Sequence, residues 1–279
     1  MVVARWSFLY RIADYVFAVQ GSDPALQDLA RGLYSATRTR CGPPSACFVL
    51  ERQKDRFALL HNGVEICCSS CLAVFFREVE WALTEAIMAA LGHYYQVHAG
   101  VVSQERRARL LIGHSDAGKT SLVLALAERG AAVFTDEVAL IEPGGLQVVA
   151  FRRDLIVHRG SQGLFPELMQ GADSPSFKNF DEYRYVSPLT IGLQQFQEKA
   201  AIVQLVFPVL RSGSQMALCS LGQAEAARRL LEQAFNLAHW GPRGTELTGR
   251  LVETCPSIEL VFEDAREAAD LILESEIQS

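Results

Sequence analysis

Hydrophobic and polar residues recur with two periods along the first third of the chain, and each period predicts a different kind of element. Alternating positions or short apolar runs predict strands over 4–18, 46–50, 57–60 and 64–67. Apolar residues at helical spacing predict helices over 24–36 and 72–91. The pattern therefore predicts a small N-terminal α+β accessory or recognition module over 1–92, in which no group of reactive side chains is evident.

The remaining residues, 93–279, predict a second and larger domain that mixes strands and helices. The strands are expected at 96–102, 108–112, 131–141, 146–151, 202–207, 216–221 and 258–262, and the helices at 121–129, 223–237, 244–253 and 264–275. The strand at 202–207 should be cut off by Pro208. Residues 160–182 are rich in Gly, Ser, Pro and Asp, which indicates a mobile loop with a short helix at 164–169.

Composition narrows the class of protein. Hydrophobic residues make up 49% and charged residues 21% of the chain, as in ordinary globular proteins. The net charge of −6 argues against nucleic acid or an anionic membrane as a partner. No apolar run is long enough to span a bilayer and no signal peptide is evident, so a cytoplasmic location is expected. Seven irregularly spaced cysteines, among them one Cys-x-x-Cys without a second pair, favour reduced thiols over a disulfide framework or a zinc site.

The most informative stretch follows the strand at 108–112 and precedes the helix at 121–129. It reads G-x-x-x-x-G-K-[ST], a Walker A phosphate-binding loop, in the strand–loop–helix context that the motif requires. The loop and the first helical residue are expected to bind the nucleotide, through Gly113, His114, Ser115, Asp116, Ala117, Gly118, Lys119, Thr120 and Ser121. Lys119 would reach the β- and γ-phosphates of ATP, and the Thr120 hydroxyl would ligate Mg²⁺.

Two acids follow the loop. Asp136 and Glu137 lie 17 and 18 residues after Lys119, where a βαβ unit would return the chain to a strand beside the loop strand. One acid could then hold Mg²⁺ while the other takes a proton from an attacking hydroxyl. A solvated acidic turn, or a pair of helix-capping acids, is the alternative.

These motifs carry a family resemblance. His98-Ala-Gly-Val-Val102, the loop, Glu128-Arg-Gly130 and Thr135-Asp-Glu137 together resemble the catalytic domain of the bacterial HPr kinase/phosphorylase family. The resemblance is close over about 96–142. The rest looks more like smaller HPr-kinase-related proteins, some of which act in modified-peptide biosynthesis. It implies an α/β fold with a P-loop mixed-sheet core of the HPr-kinase/PEP-carboxykinase type. The family forms hexamers, so a homo-oligomer is compatible with the resemblance.

The resemblance also implies a role for each matching residue. Lys119 matches the phosphate-binding lysine, Thr120 the metal-binding hydroxyl, and Asp136 the acid near the metal. Glu137 matches the acid that serves as the base, and His98 matches a histidine beside it. Two departures matter: the base is Glu where the family has Asp, and Val157-His-Arg-Gly160 has Val where the family has a metal-binding Glu. These departures favour a kinase without the phosphorylase half-reaction.

Arginines beyond the acids are candidates for binding the transferred phosphoryl group, because a guanidinium meets its oxygens in a bidentate fashion. The candidates are Arg152, Arg153, Arg159 and Arg184. Arg159 and Arg184 are preferred because they border the predicted mobile loop, which would exclude water by closing over the site. Ordinary solvated surface arginines are the alternative for each.

The sequence thus predicts an ATP- and Mg²⁺-dependent kinase that phosphorylates a hydroxyl. The acceptor would be a serine or threonine of a protein or peptide, or a small molecule. A P-loop ATPase or nucleotide-dependent switch without a phospho-acceptor is the first alternative. A degenerate scaffold or peptide-binding chaperone is the second, and the intact loop argues against it.

Overall fold

The computed structural model describes residues 4–144, 146–166, 178–180, 182–188 and 197–275. It is a mixed α/β structure with several β-sheets, which confirms the mixed character predicted from the sequence. The chain divides into two compact units. Unit 1 comprises Met1–Leu91 and Arg152–Gly192, and unit 2 comprises Gly92–Phe151 and Leu193–Ser279. The segment 152–192 therefore belongs with the N-terminal residues, whereas the sequence pattern placed it in the second domain.

Unit 1 is built on a six-stranded sheet, with two helices along its N-terminal residues. The strands are β1 (Trp6–Ile12), β2 (Tyr15–Gly21), β3 (Arg38–Thr39), β4 (Ala46–Gln53), β5 (Arg56–His61) and β6 (Val64–Ser69), in the order β3-β1-β2-β4-β5-β6. Helix α1 (Pro24–Gly32) begins where the Asp23 carboxylate accepts a hydrogen bond from the Ala25 amide. Helix α2 (Leu72–Ala90) is amphipathic and buries one apolar side, which consists of Phe75, Phe76, Val79, Leu83 and Ile87.

The later segment of unit 1 contains β12 (Leu155–His158), α4 (Arg159–Leu164) and β13 (Tyr183–Val186), with β12 and β13 paired antiparallel. Buried ion pairs hold this segment within the unit. Arg153 contacts Glu80 of α2 at 2.9 Å. Lys178 pairs with Asp154 and donates to the Gly32 carbonyl at 2.7 Å. Most of the predicted loop at 160–182 and half of the predicted helix at 164–169 lie outside the described residues.

Unit 2 is built on an eight-stranded sheet. Its strands are β7 (Tyr95–Gln104), β8 (Arg107–Ile112), β9 (Ala132–Thr135), β10 (Val138–Ile141), β11 (Gln147–Val149), β14 (Lys199–Leu210), β15 (Ala217–Ser220) and β16 (Ser257–Phe262). The order is β11-β10-β7-β8-β14-β16-β15, with β9 also paired to β7. The helices are α3 (Lys119–Glu128), α5 (Gln223–Glu232), α6 (Leu237–Trp240), α7 (Pro242–Thr254) and α8 (Ala265–Glu274). Helix α3 packs against α8, and α5 packs against α7.

Three elements of unit 2 differ from their prediction. The predicted strand at 131–141 breaks into β9 and β10 at Asp136-Glu137, and both halves pair with β7 and not with the loop strand β8. The predicted helix at 223–237 ends at Glu232. Strand β14 does not end at Pro208 but runs through it. Pro208 lies beyond the last pairing of β14 with β8, at Val206, so the strand has only β16 as a partner there and the proline interrupts fewer hydrogen bonds than it would between two partners. Within the described part of the chain, no helix combines the length and apolarity needed to cross a membrane.

The register of the sheet places the candidate residues at one end of unit 2. Ile112, the last residue of β8 before the loop, pairs with Ala99 of β7. On the other side of β7, Val138 pairs with His98 and Thr135 with Val101, so the break at 136–137 lies opposite the same part of β7. Strand β7 therefore carries His98 between the beginning of the loop and the two acids.

Candidate functional site

The phosphate-binding motif forms a tight turn from β8 into α3. Gly118 is the N-cap of α3 and has a φ of +87°, a backbone conformation that favours glycine. A Cβ atom at this position would lie 2.6 Å from Cζ of Phe262, so the space beside the turn also requires glycine. Asp116, two residues earlier, has a φ of +65°. The turn therefore directs main-chain amides and the beginning of α3 towards one place, which suits an anion.

The Lys119 side chain lies across this turn. It is buried, and its Nζ atom donates to the Gly113 carbonyl at 2.7 Å and to the His114 carbonyl at 2.8 Å. Burial lowers the pKa of Lys119, while the nearby carboxylates of Glu137, Asp136 and Asp116 act to raise it. The ammonium group is thus fixed at the loop by main-chain carbonyls, with three acids around it.

The two acids occupy the break between β9 and β10. The Thr135 hydroxyl accepts hydrogen bonds from the amides of Glu137 at 3.1 Å and Val138 at 3.0 Å, and the Ala99 amide of β7 donates to the Glu137 carbonyl at 3.0 Å. These hydrogen bonds fix the backbone at the break, and the two acidic side chains there differ in exposure. Asp136 is only 3% exposed, whereas the Glu137 side chain is 37% exposed. Glu137 can therefore meet a substrate from solvent, and Asp136 faces the protein.

Asp136 lies beside the first turn of α3. Its Oδ2 atom is 3.5 Å from the Thr120 hydroxyl. No cluster of three or more His, Cys, Asp or Glu side chains suited to a metal occurs among the described residues. A hydroxyl and one carboxylate fit Mg²⁺ nonetheless, because this ion usually takes one or two protein oxygens and completes its shell with phosphates and water. Thr120 and Asp136 would hold it.

His98 connects the acids to the end of α5. Its Nε2 atom is 3.8 Å from Oε1 of Glu137, and its Nδ1 atom is 3.3 Å from Oε1 of Gln233. The Phe235 ring lies against the imidazole, with ring centroids 5.6 Å apart. Burial, and then the charge of Lys119, lower the pKa of His98, although Glu137 acts to raise it. These contacts favour a neutral imidazole at this position.

The structure places the four candidate arginines in unit 1, whereas the loop, the acids and His98 belong to unit 2. Arg153 is buried against Glu80, so it has a structural partner. Arg184 lies in β13 opposite Val157, and the Arg159 amide donates to the Glu182 carbonyl at 2.8 Å. Arg152 is half-buried.

A pocket of about 380 Å³ adjoins the phosphate-binding loop within unit 2. Loop residues form one side, the end of β14 forms an apolar side, and the end of α5 adds Arg228, Arg229, Glu232 and Gln233. The sequence pattern predicts no role for these α5 residues, because their spacing is that of an ordinary amphipathic helix. Both arginines are ion-paired: Arg228 with Glu225 at 2.7 Å, and Arg229 with Glu259 at 2.6 Å.

Comparison with known proteins gives a distant likeness. No protein-family model matches the chain, and no curated protein sequence is similar enough to count as a relative. The structure of the HPr(Ser) kinase/phosphatase from Coxiella burnetii aligns with 66% of this chain and 93% of its own, at 12% sequence identity and a TM-score of 0.33. The roles proposed below therefore rest on the residues of this chain and on their geometry.

Proposed function

We propose that this protein is an ATP-dependent kinase that transfers the γ-phosphate to a hydroxyl group. The observation that carries the proposal is the convergence of Lys119, Asp136 and Glu137 at one end of the unit 2 sheet. The Lys119 ammonium lies at the phosphate-binding turn. Asp136 is beside Thr120, and Glu137 is beside His98. Phosphoryl transfer needs such a set: groups that hold the phosphates, a metal site and a base for the attacking hydroxyl.

Each side chain has one role in the proposed reaction. Lys119 and the amides of residues 113–121 bind the phosphates. Glu137, the more exposed acid, accepts the proton as the O–H bond of the acceptor breaks. The new O–P bond forms, and ADP departs with the electrons of the old one. Mg²⁺, when bound at Thr120 and Asp136, would neutralise charge on the phosphates.

The proposal also specifies the type of kinase and its classes of acceptor. The motifs between His98 and Glu137 favour a P-loop kinase of the HPr-kinase-related type, working in the cytoplasm on a protein, a peptide or a small molecule. Arg159 and Arg184 remain candidate phosphate ligands, together with Arg152 and Arg153. Because the buried Arg153 has Glu80 as a partner, it is the least suited of the four.

Transfer of labelled phosphate tests the function. The full chain is incubated with Mg²⁺, [γ-³²P]ATP and a cell extract, and labelled products are separated from free phosphate. Lys119→Ala should abolish labelling, because a P-loop without its lysine loses its main phosphate contact. Lys199→Ala is the matched control, since Lys199 is an exposed lysine of the same unit that pairs with Glu142. Lys119-dependent release of free phosphate without any labelled acceptor would instead establish an ATPase.

The Glu137→Gln variant tests the base. It keeps the shape of the side chain and removes its basicity, so ATP should bind as in the wild type. Transfer should fall by about 10²–10⁴-fold, the usual contribution of a positioned acid–base group. Full transfer by Glu137→Gln would show that another group accepts the proton.

A further inference from the structure

Gln233 lies at the point where the end of α5 meets β7. It is the C-cap of α5, and the residue is buried, with an exposed fraction of 7%. Its carbonyl accepts a hydrogen bond from the His98 amide at 2.8 Å, and two residues later the Phe235 amide donates to the Gln96 carbonyl at 2.9 Å. The backbone around Gln233 is therefore fixed to β7 in the manner of a short extra strand. A side chain that begins from such a backbone has little freedom.

The amide group of Gln233 joins two histidines. Its Oε1 atom is 3.3 Å from Nδ1 of His98, and its amide nitrogen is 3.1 Å from Nδ1 of His114 in the phosphate-binding loop. An amide oxygen only accepts hydrogen bonds and an amide nitrogen only donates them. His98 must therefore carry its proton on Nδ1. The amide nitrogen also lies 3.4 Å from Nε2 of His114, so it contacts both ring nitrogens of His114 and selects neither. The buried amide thus determines the tautomer of His98 and holds the His114 ring beside it.

The tautomer decides what His98 presents on its other side. With the proton on Nδ1, a neutral His98 directs the lone pair of Nε2 towards Glu137, whose Oε1 atom is 3.8 Å away. That separation is too long for a hydrogen bond between the two groups. The charged and titratable groups around His98 are Glu137, Lys119 and His114, and burial together with Lys119 favours the neutral ring. Two acceptors, Nε2 of His98 and Oε1 of Glu137, then face the gap between them. A hydrogen-bond donor such as a hydroxyl suits this gap.

We infer that Gln233 is a positioning residue that holds His98 in the Nδ1–H tautomer, so that His98 and Glu137 together receive the hydroxyl of the phosphate acceptor. The same amide ties this hydroxyl site to the phosphate-binding loop through His114. The hydroxyl part of the inference rests on the proposed kinase function, whereas the tautomer part does not. Before the reaction, the single O–H hydrogen is shared between Oε1 of Glu137 and Nε2 of His98 in a three-centre hydrogen bond. In the reaction the proton passes to Glu137 as the new O–P bond forms, and Nε2 of His98 stays unprotonated.

Nitrogen-15 NMR of the histidine rings tests the tautomers without any assay of activity. The full chain is labelled with ring-¹⁵N histidine and measured at about pH 8, where ordinary histidines are neutral. The variants His98→Asn and His114→Asn identify the two signals. We expect a protonated Nδ1 for His98. A protonated Nε2 on neutral His98 would overturn the inference, because it requires the reversed Gln233 amide.

Variants of Gln233 test the positioning. Gln233→Leu should release the His98 ring into the mixture of tautomers seen for free histidine, while Gln223→Leu, at the exposed start of the same helix, should leave the His98 tautomer unchanged. An unaltered His98 tautomer in folded Gln233→Leu would contradict the inference. If Gln233→Leu does not fold, the wild-type spectrum still decides the tautomer, and Gln233→Met offers a closer match in shape.

A kinetic measurement then separates this inference from the proposed function. Where the wild type shows Lys119-dependent transfer, Gln233→Leu should lower kcat by about 10²-fold, the lower end for a positioned acid–base group, and should change the KM for ATP by a much smaller factor. Equal kcat values would overturn the role of Gln233 and leave the kinase assignment intact. Absence of Lys119-dependent transfer in the wild type would overturn the kinase assignment, and with it the hydroxyl site, but not the tautomers found by NMR.

Discussion

Lys119 in unit 2 and Arg153 in unit 1 are cations buried to the same degree, yet their surroundings differ. Lys119 is 6% exposed and Arg153 is 5% exposed. Arg153 contacts the buried carboxylate of Glu80 at 2.9 Å. The Lys119 ammonium instead donates to the carbonyls of Gly113 and His114, with carboxylates acting on it electrostatically. One cation is neutralised by a side chain in contact, and the other is held by main-chain dipoles.

The kind of partner distinguishes a buried cation that stabilises the fold from one that can bind an anionic ligand. A carboxylate in contact completes the surroundings of a buried cation, and removing either partner leaves an uncompensated charge. Main-chain carbonyls fix the position of an ammonium group while its net charge stays available to phosphates. The contrast therefore indicates that Arg153 and its partner stabilise unit 1, and it supports the proposed role of Lys119 in binding phosphates.

The largest effect on stability is expected from Arg153→Met. Without the guanidinium, the buried Glu80 carboxylate loses its partner, so the free energy of unfolding of unit 1 should fall by about 3–5 kcal/mol. Urea denaturation measures this change, with Trp6 and Trp81 of unit 1 as fluorescent reporters. Lys119→Met removes an equally buried cation that main-chain carbonyls hold, and the loss of these hydrogen bonds should lower the free energy of unfolding by a smaller amount, about 1.5–3 kcal/mol.

The double variant Glu80→Met/Arg153→Met sharpens the test. It removes both charges together, so it should recover much of the stability that Arg153→Met loses. If Lys119→Met and Arg153→Met cost the same, or if the double variant is as unstable as the sum of the two single variants, the division into structural and ligand-binding cations fails.

The parts of the molecule that could be predicted from the sequence are those that depend on contacts between neighbouring residues. The β7–β8 hairpin, the turn at 113–118 and α3 depend on neighbouring residues, and their apolar runs and glycines were sufficient to place them. Helix α2 was equally clear, because its apolar side repeats at helical spacing. The positions of Lys119 and Thr120 could be predicted for the same reason, because both residues directly follow Gly118 at the beginning of α3.

Long-range pairing was not predictable in this way. The pattern around Asp136 indicated a strand, but nothing local shows that its neighbour is β7 and not β8. Gln233 looked like one more polar residue of an amphipathic helix, and its contacts with His98 and His114 depend on where α5 ends. Arg153 resembled a surface arginine, because the carboxylate that accompanies its burial lies 73 residues earlier.

A smaller effect is expected from Gly118→Ala, which tests the turn that holds Lys119. The new methyl group would meet the Phe262 ring, and the residue would keep a positive φ. Together these should cost about 1–3 kcal/mol of the stability of unit 2. Urea denaturation followed by Trp240 fluorescence measures the cost, and ATP titration should show weaker binding because the amides at the turn move.

Gly130→Ala provides the matched control. Gly130 has nearly the same φ, +85°, but a Cβ atom there would meet nothing within 4 Å. Its substitution carries only the backbone cost of about 1–2 kcal/mol and should leave ATP affinity unchanged. Equal effects of the two variants on ATP affinity would show that the crowded side of the turn does not matter for binding.

The smallest predicted effect extends the comparison to an anion, the thiolate of Cys71. Cys71 is the N-cap of α2, and the main-chain amides of Val74 and Ala73 act to lower its pKa, although the thiol makes no capping hydrogen bond. Burial, with a contribution from Glu78, raises the pKa of Cys67 to about 12. Main-chain dipoles thus favour a charge on Cys71, as they hold the charge of Lys119, and the buried thiol stays protonated.

Because the thiolate is the reactive form, iodoacetamide at about pH 8 should modify Cys71 well before Cys67. Mass spectrometry of peptides sampled over time measures both rates in the same protein. Cys41, which is exposed like Cys71 but lies outside any helix, distinguishes the influence of the helix from that of exposure. If Cys41 reacts as fast as Cys71, exposure alone explains the order. A faster Cys71 shows that main-chain groups at the beginning of a helix stabilise its charge.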